Sequence, residues 1–412
     1  MLTRRSGTAP NSSSARIRLA SSVTSPIKLR HGTSFDAVRS MTATSYPRSC
    51  ASRAMAAPNP AAPPVISAKG IGRFLPYTVD YSLKHKLLTG GSAMATTAHE
   101  AQRTGEHRTL LTLLDRAADR FADRPALIDA DHALTWADAR AVLADGSASG
   151  DGPVAQTLAV LSDLARGEVF HFTDTSAPLP PRTDMVFAAT RADGSVDAVC
   201  HASADAAHIG AAIALRERFA KDDRVALAAR VSDPGFWAVF AACMASGAAL
   251  DLSGDMDRAT TAWLIDREAV AAYTPRPHLN RLHLDAGRDR LAEVAAAQPD
   301  TRIVNGLSLP ETMGLALSSD PRDPTGTITT TKGRPVGGVE VMIVDPRTGM
   351  DVLLYQTGEV WLRGTGVFLG YAGKPGVGFT DRFFRTGILG HLDCEGRLVL
   401  PKAEEEVLLS GW

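Results

Sequence analysis

The sequence predicts an α/β fold: a mostly parallel sheet with helices, followed by a smaller β-rich unit. Three observations predict it. From residue 108 onward, strand-like and helix-like runs alternate. After residue 325 the texture changes to "GVEVMIVDPRTG", "TGEVWLRG" and "GRLVLPKAEEEVLL", β-rich runs with Gly turns. The length, 412 residues, exceeds one ordinary core. The expected organisation is an extension over 1–93, an α/β part over 94–324 and a β-rich part over 325–412.

The elements follow in order. "TLLTLLDRAADRFAD" sets apolar residues at helical spacing with charges on the other face. "DRPALIDADHALTWADARAVLAD" reads as strand, Asp-rich turn, strand and helix. "GSASGDG" (146–152) is a linker, "VAQTLAVLSDLARG" a helix, "EVFHF" a short strand and "TDTSAPLPPRTD" a second linker. A strand, "MVFAA" (185–189), then leads into a loop, "ATRADGSVDAVCH" (189–201), and a helical run. "RVALAARV" reads as a buried strand. "GFWAVFAACMASGAAL" (235–250) is rather short for a membrane span and reads as a buried core helix. "ALDL" is a further strand and "RATTAWLIDREA" a helix. No internal repeat is present.

Composition narrows the function. Apolar residues make up 44% and charged residues 22%, as in soluble globular proteins. The net charge of −1 conceals an asymmetry. Of 44 Lys/Arg, 13 fall in residues 1–93 and 31 after them; of 45 Asp/Glu, two fall in 1–93 and 43 after them. The acidic remainder is a poor nucleic-acid binder. Neither nucleic acid nor membrane is an expected partner. Cys50, Cys200, Cys243 and Cys394 show no C-x-x-C spacing, which fits a reducing compartment. A cytoplasmic location is expected, or an organellar one if 1–93 is a transit peptide, since that stretch is rich in Arg and Ser and poor in acids. The preferred expectation for 1–93 is disorder or upstream sequence, with Met94 as the natural first residue.

Four runs bear on chemistry: "RIVNGLSLPETMG" (302–314), "GRPVGGVEVMIVDPRTG" (333–349), "TGEVWLRGTGVFLGY" (357–371) and "RFFRTGILGHLDCEGRLVL" (382–400). In order, spacing and β texture this set resembles the adenylate-forming superfamily: acyl- and aryl-CoA synthetases, nonribosomal adenylation domains and luciferases. "LLDRAADRFADRPALIDADHALTWADA" is similar to the family's opening helix and hairpin, so the resemblance covers residues 108–412. It implies the large-domain fold, doubly wound mostly parallel sheets plus a β-rich subdomain, here shortened and lacking the small C-terminal domain. It also implies a chemistry. A carboxylate attacks the α-phosphorus of ATP, and a thiol or another nucleophile then takes the acyl group. A Gly/Ser/Thr-rich loop with a Lys cradles the phosphates. A Glu holds Mg²⁺, an aromatic residue flanks adenine, an Asp holds the ribose, and a Lys of the small domain stabilises the adenylate.

The motifs depart from that pattern. The family's loop resembles T-S-G-T-T-G-x-P-K-G, and the matching stretch is "ATRADGSVDAV". Thr190 keeps a hydroxyl and Gly194 matches the last glycine of the T-T-G half, but Asp197 falls on the Lys and Ala198 on the next Gly. Arg191 is expected on the other side of the turn. At about 4–6 Å from a phosphate, Asp193 and Asp197 would each be unfavourable by about a kcal/mol or more. The family's N-G-Y-G-x-T-E becomes "NGLSLPE". Asn305, Gly306 and Glu311 remain, Leu307 replaces the aromatic residue, Ser308 the second Gly and Pro310 the Thr. T-G-D becomes Thr386, Gly387 and Ile388. Lys402 stands at the hinge Arg. The resemblance thus implies nucleotide-site positions at Thr190, Gly194, Asn305, Gly306, Leu307 and Lys402, with Glu311 at the Mg²⁺ position.

Other residues have readings of their own. Phe236 and Trp237 can line a pocket or fill the core. His201, Asp205 and His208 fall at i, i+4 and i+7 of an expected helix, three candidate metal ligands on one face. The function expected is that of a degenerate AMP-dependent synthetase-like protein, unable to adenylate alone. It would bind, scaffold or regulate in a biosynthetic pathway, with an active paralogue, a pathway enzyme or a second copy as partner. No cofactor is expected on this reading. ATP and Mg²⁺ enter only with the alternative, an active acid–AMP or CoA ligase completed by a partner chain. A third reading is a small-ligand binder or a different catalyst that reuses the acyl pocket.

Overall fold

The computed structural model describes residues 109–146, 150–191 and 193–402, which fall within one compact unit. The expectations for residues 1–93 and 403–412 lie outside them.

The main sheet has seven strands. Their order is Arg302–Val304, Arg281–Leu284, Thr261–Leu264, Arg224–Ala228, Ala249–Asp251, Pro125–Ile128 and Ala133–Thr135. All neighbours run parallel except the last pair, which is the expected hairpin. Its Asp-rich turn closes through Asp129, whose Oδ1 accepts from the backbone N–H groups of Asp131 (2.9 Å) and His132 (2.7 Å).

One central strand was expected as a helix. "RATTAWLIDREA" splits into the strand Thr261–Leu264, buried at all four positions, and the short helix Arg267–Ala272. β-branched and aromatic residues in a continuous apolar run favour a strand buried on both faces, and that context overrides the helical spacing. The expected core helix forms as Pro234–Ser246. Every residue from Pro234 to Met244 is buried, with Phe236 and Trp237 fully inside. It packs on the helix Ser203–Glu217 at Gly210, where an added Cβ would lie 2.4 Å from the Ala241 Cβ.

The segment 185–201 also differs from expectation. Instead of a strand and a long loop before the helix Ser203–Glu217, it is a hairpin. Met185–Thr190 pairs antiparallel with Val196–His201, and Ala189 sits opposite Asp197. The turn is short because Gly194 takes φ +81° and the Asp193 carboxylate accepts from the Ser195 N–H (2.9 Å). Gly370–Tyr371 and Phe170–His171 complete this four-stranded sheet.

The β-rich texture after 325 forms a sheet in the order Val339–Val344, Gly358–Gly364, Phe383–Leu392 and Phe379–Thr380, with Leu398–Val399 added to the third. One core cluster runs from Leu110 to Leu400, so the α/β and β-rich parts share an interior. Exposed large apolar side chains concentrate on the loop between the first two of these strands, at Met350, Leu353, Leu354 and Tyr355.

Candidate functional site

A cleft of about 800 Å³ opens beyond the carboxyl ends of three adjacent strands of the main sheet. Arg230 and Asp233 follow Arg224–Ala228, Asp266 and Arg267 follow Thr261–Leu264, and Asp285 follows Arg281–Leu284. Parallel strands place their loops together at this end, which is where open α/β sheets bind ligands. The hairpin lends Thr190 and Arg191 to the wall, and the segment after Arg302–Val304 lends Gly306, Leu307 and Ser308.

Of the implied nucleotide positions, Thr190, Gly306 and Leu307 line the cleft. Asn305 sits behind it, buried, with its Oδ1 accepting from the Gly306 N–H (2.8 Å). Gly194 is spent in the exposed hairpin turn. Lys402 pairs with Asp289 (3.3 Å) and takes no part in the cleft wall. Ile388 is 2% exposed, packed in the core on its strand, and the nearby Asp393 closes a turn by accepting from the Glu395 and Arg397 N–H groups.

Glu311 lies under the wall in a charged network. Its Oε1 accepts from the Tyr371 hydroxyl (2.7 Å) and lies 3.4 Å from the Arg191 guanidinium. Arg191 also donates from Nη2 to the Tyr371 hydroxyl (2.5 Å) and from Nε to Asp197 (2.8 Å). Asp197 takes a second cation, Lys374, at 2.5 Å. Burial pushes the Asp197 carboxyl up, but Lys374 and Arg191 together hold it below the usual carboxylate range. Burial and the adjacent Glu311 push the Tyr371 hydroxyl up.

Two expectations change here. Asp197 is not a bare charge facing the cleft, because it lies on a strand between two cations. Arg191 is not stranded across the turn, because the hairpin is tight enough for its side chain to reach Glu311. Lys374 and Tyr371 were missed by the sequence reading. They lie 177 residues from Asp197 and 180 from Arg191, and no local pattern signals either contact.

The metal candidate dissolves. His201 ends a strand and Asp205 and His208 lie in the following helix, so the helical spacing does not apply. His201 is fully buried, its Nε2 donates to the Pro310 carbonyl (2.8 Å), and Asp205 lies 4.0 Å from Nδ1. Burial holds the His201 pKa down at about 4 and raises that of Asp205 to about 6. Among the described residues no three His, Cys, Asp or Glu side chains gather to hold a metal.

Residues 285–372 match the model of a family described as AMP-binding enzyme. The chain is 33% identical over 129 residues to 4-coumarate–CoA ligase-like 9 of Arabidopsis thaliana, and 30% over 123 residues to Peroxisomal OPC-8:0-CoA ligase 1 of the same plant. These stretches are 30% and 29% of this chain and 22% of each relative, so the chain spans about a fifth of the curated relatives it matches. Among solved structures, apo MbtA of Mycobacterium smegmatis aligns at a TM-score of 0.61 with 19% identity, over 73% of this chain and 77% of that one. The o-succinylbenzoate CoA synthetase MenE of Bacillus subtilis aligns at 0.59 with 15% identity, over 70% and 77%. The chain has the adenylate-forming fold. The cleft therefore lies in an adenylate-forming framework, and its lining tests what that framework holds here.

Proposed function

We propose that this chain is a degenerate AMP-dependent synthetase-like protein that does not adenylate a carboxylate by itself and acts through binding, scaffolding or regulation in a biosynthetic pathway. The observation that carries this reading is the network of Arg191, Asp197, Glu311, Tyr371 and Lys374. In the resemblance, Glu311 holds the metal and position 197 supplies the cation for phosphate. Here a guanidinium meets Glu311, and position 197 is a carboxylate. Binding Mg²⁺ at Glu311 would require two like charges side by side or the displacement of Arg191.

The remaining positions point the same way. Leu307 covers a base by dispersion without stacking, and Ile388 accepts no ribose hydroxyl. Asp233, Asp266 and Asp285 line the same wall as Arg230, Arg267 and Lys332, so its positive charge is offset rather than gathered for a polyphosphate. ATP with Mg²⁺ does not fit these residues. The exposed Met350, Leu353, Leu354 and Tyr355 support an interaction role.

A second reading, an active acid–AMP or CoA ligase completed by a partner chain, is favoured by the retained cleft and by the match to CoA ligases. Calorimetry with ATP and Mg²⁺ separates the two, together with pyrophosphate release across a panel of acids with candidate partner chains added. The degenerate reading expects no saturable binding at millimolar nucleotide and no release. Saturable binding, or acid-dependent release, replaces it with the second.

A further inference from the structure

Lys332 belongs to none of the motifs of the resemblance, yet it lines the cleft while only 4% exposed. Its Nζ reaches two neutral oxygens, the Ala286 carbonyl at 3.3 Å and Asn305 Oδ1 at 3.4 Å. Both are long for hydrogen bonds, and an ammonium has three donors to place. Among the described residues no carboxylate forms an ion pair with it. A buried charge is strongly unfavourable without a counter-charge. A second, independent observation lies on the same wall: the Ser308 Oγ has no hydrogen-bond partner among the described residues. That hydroxyl therefore has its donor and both lone pairs open to a group bound in the cleft.

We propose that the cleft holds a small organic monoanion whose negative group pairs with Lys332 and whose body carries a polar substituent toward Ser308, with no nucleotide required. The proposal rests on the non-adenylating reading of the same cleft. Of the other cations on the wall, Arg191 meets Asp197 and Glu311 and Arg230 meets Asp266, whereas the side chain of Lys332 meets neutral oxygens and can match one negative charge. Asp233, Asp266 and Asp285 discriminate against higher charge, and Phe172, Ile265, Leu307 and Leu309 supply apolar wall for the body of the ligand.

The test is calorimetric titration of the full chain, without ATP, with benzoate, benzenesulfonate and benzamide. The sulfonate has the charge but not the carbonyl chemistry of an acid that is adenylated, and the amide has the shape without the charge. Both anions are expected to bind, and benzamide at least about tenfold more weakly, which is about 1.4 kcal/mol. Lys332→Met, close in volume, is expected to lose the anions by a similar factor while melting no lower than the wild type, because it removes an unpaired buried charge. A lysine kept for structure alone would instead lower the melting temperature.

Equal binding of benzamide and the anions overturns the proposal on the wild-type protein, whatever the variant does. So does no binding of either anion at millimolar concentration, or undiminished anion binding by Lys332→Met. Pyrophosphate release with ATP, alongside Lys332-dependent sulfonate binding, would overturn the non-adenylating reading and leave the anion site standing.

Discussion

Replacing Arg191 by Met removes the cation that three other groups share. Its guanidinium lies 2.8 Å from Asp197, 2.5 Å from the Tyr371 hydroxyl and 3.4 Å from Glu311. At that last distance and an effective dielectric near about 20, the attraction is about 5 kcal/mol. Most of it is offset by the desolvation of both charges, so the net value of the pair is much smaller. Removing one partner has a larger effect, because the Glu311 side chain is 6% exposed and keeps only the Tyr371 hydroxyl. Breaking a buried pair costs about 3–5 kcal/mol. The Arg191 side chain is 29% exposed, so solvent screening lowers the expectation to about 2–3 kcal/mol. Each kcal/mol moves Tm by about 2–4 °C in a domain of moderate size. The assay is urea unfolding of Arg191→Met, Glu311→Gln and the double variant. Because neutralising Glu311 removes the stranded charge, the double variant is expected to be more stable than the sum of the singles, with a coupling of about 1–3 kcal/mol. A coupling below about 0.5 kcal/mol would mean that the two residues act independently, and the reasoning that the guanidinium stands in for a metal would be wrong.

Two further outcomes follow from the packing and the cleft wall. Gly210→Ala gains up to about 1 kcal/mol in helix propensity, but its methyl would lie 2.4 Å from the Ala241 Cβ and 2.7 Å from the Ala238 carbonyl oxygen. Overpacking of about 1–3 kcal/mol is expected to win, so a variant as stable as the wild type in urea would show that the two helices part freely. Asp233 has its pKa raised from 3.8 to about 6 by burial and by the neighbouring Asp266 and Asp285. The folded state therefore holds its proton more tightly than the unfolded chain, and that contribution is lost as pH rises through about 6. Asp233→Asn keeps an acceptor for the Gly235 N–H and is expected to flatten the decline by about 1–3 kcal/mol. Melting curves with the same pH slope in both proteins would remove Asp233 as its source.

What the sequence made legible was set by distance along the chain. The parallel strands, the Asp129 turn and the buried helix Pro234–Ser246 are written in short apolar runs and punctuating residues, and each formed. Thr261–Leu264 was misread because a four-residue strand flanked by Asp and Arg can be laid on a helical wheel, and only its neighbours on both sides decide. The hairpin at 185–201 was missed because its second strand, "VDAVCH", begins at an exposed valine and carries a polar residue at position 197. That polar residue is tolerated because Arg191 and Lys374 meet it. The cleft lining was legible where the family motifs touch it, at Thr190, Arg191, Gly306, Leu307, Ser308 and Pro310. Lys332 stands in "TTTKGR", where no period marks a buried position, and Ser308 reads there as a lost glycine.

Comparing motifs one position at a time counts Asp197 as a missing lysine and Glu311 as a retained metal ligand. The contacts make the two a single arrangement. Asp197 has its charge balanced by Lys374 and Arg191, and Arg191 in turn balances Glu311, so no member can be exchanged alone. Restoring the family's residue by Asp197→Lys is therefore expected to fail as a repair. It turns two attractions, at 2.5 Å and 2.8 Å, into repulsions among three cations. Lys374 is half exposed and can swing away, while Arg191 is held by Tyr371 and Glu311. The expected loss is about 2–4 kcal/mol in urea unfolding, most of it from the Arg191 side. No binding of ATP with Mg²⁺ is expected to appear, because Glu311 keeps its guanidinium. A variant that is as stable as the wild type and binds ATP would show that the substitution at 197 alone had removed the phosphate site, and that the rest of the network is incidental.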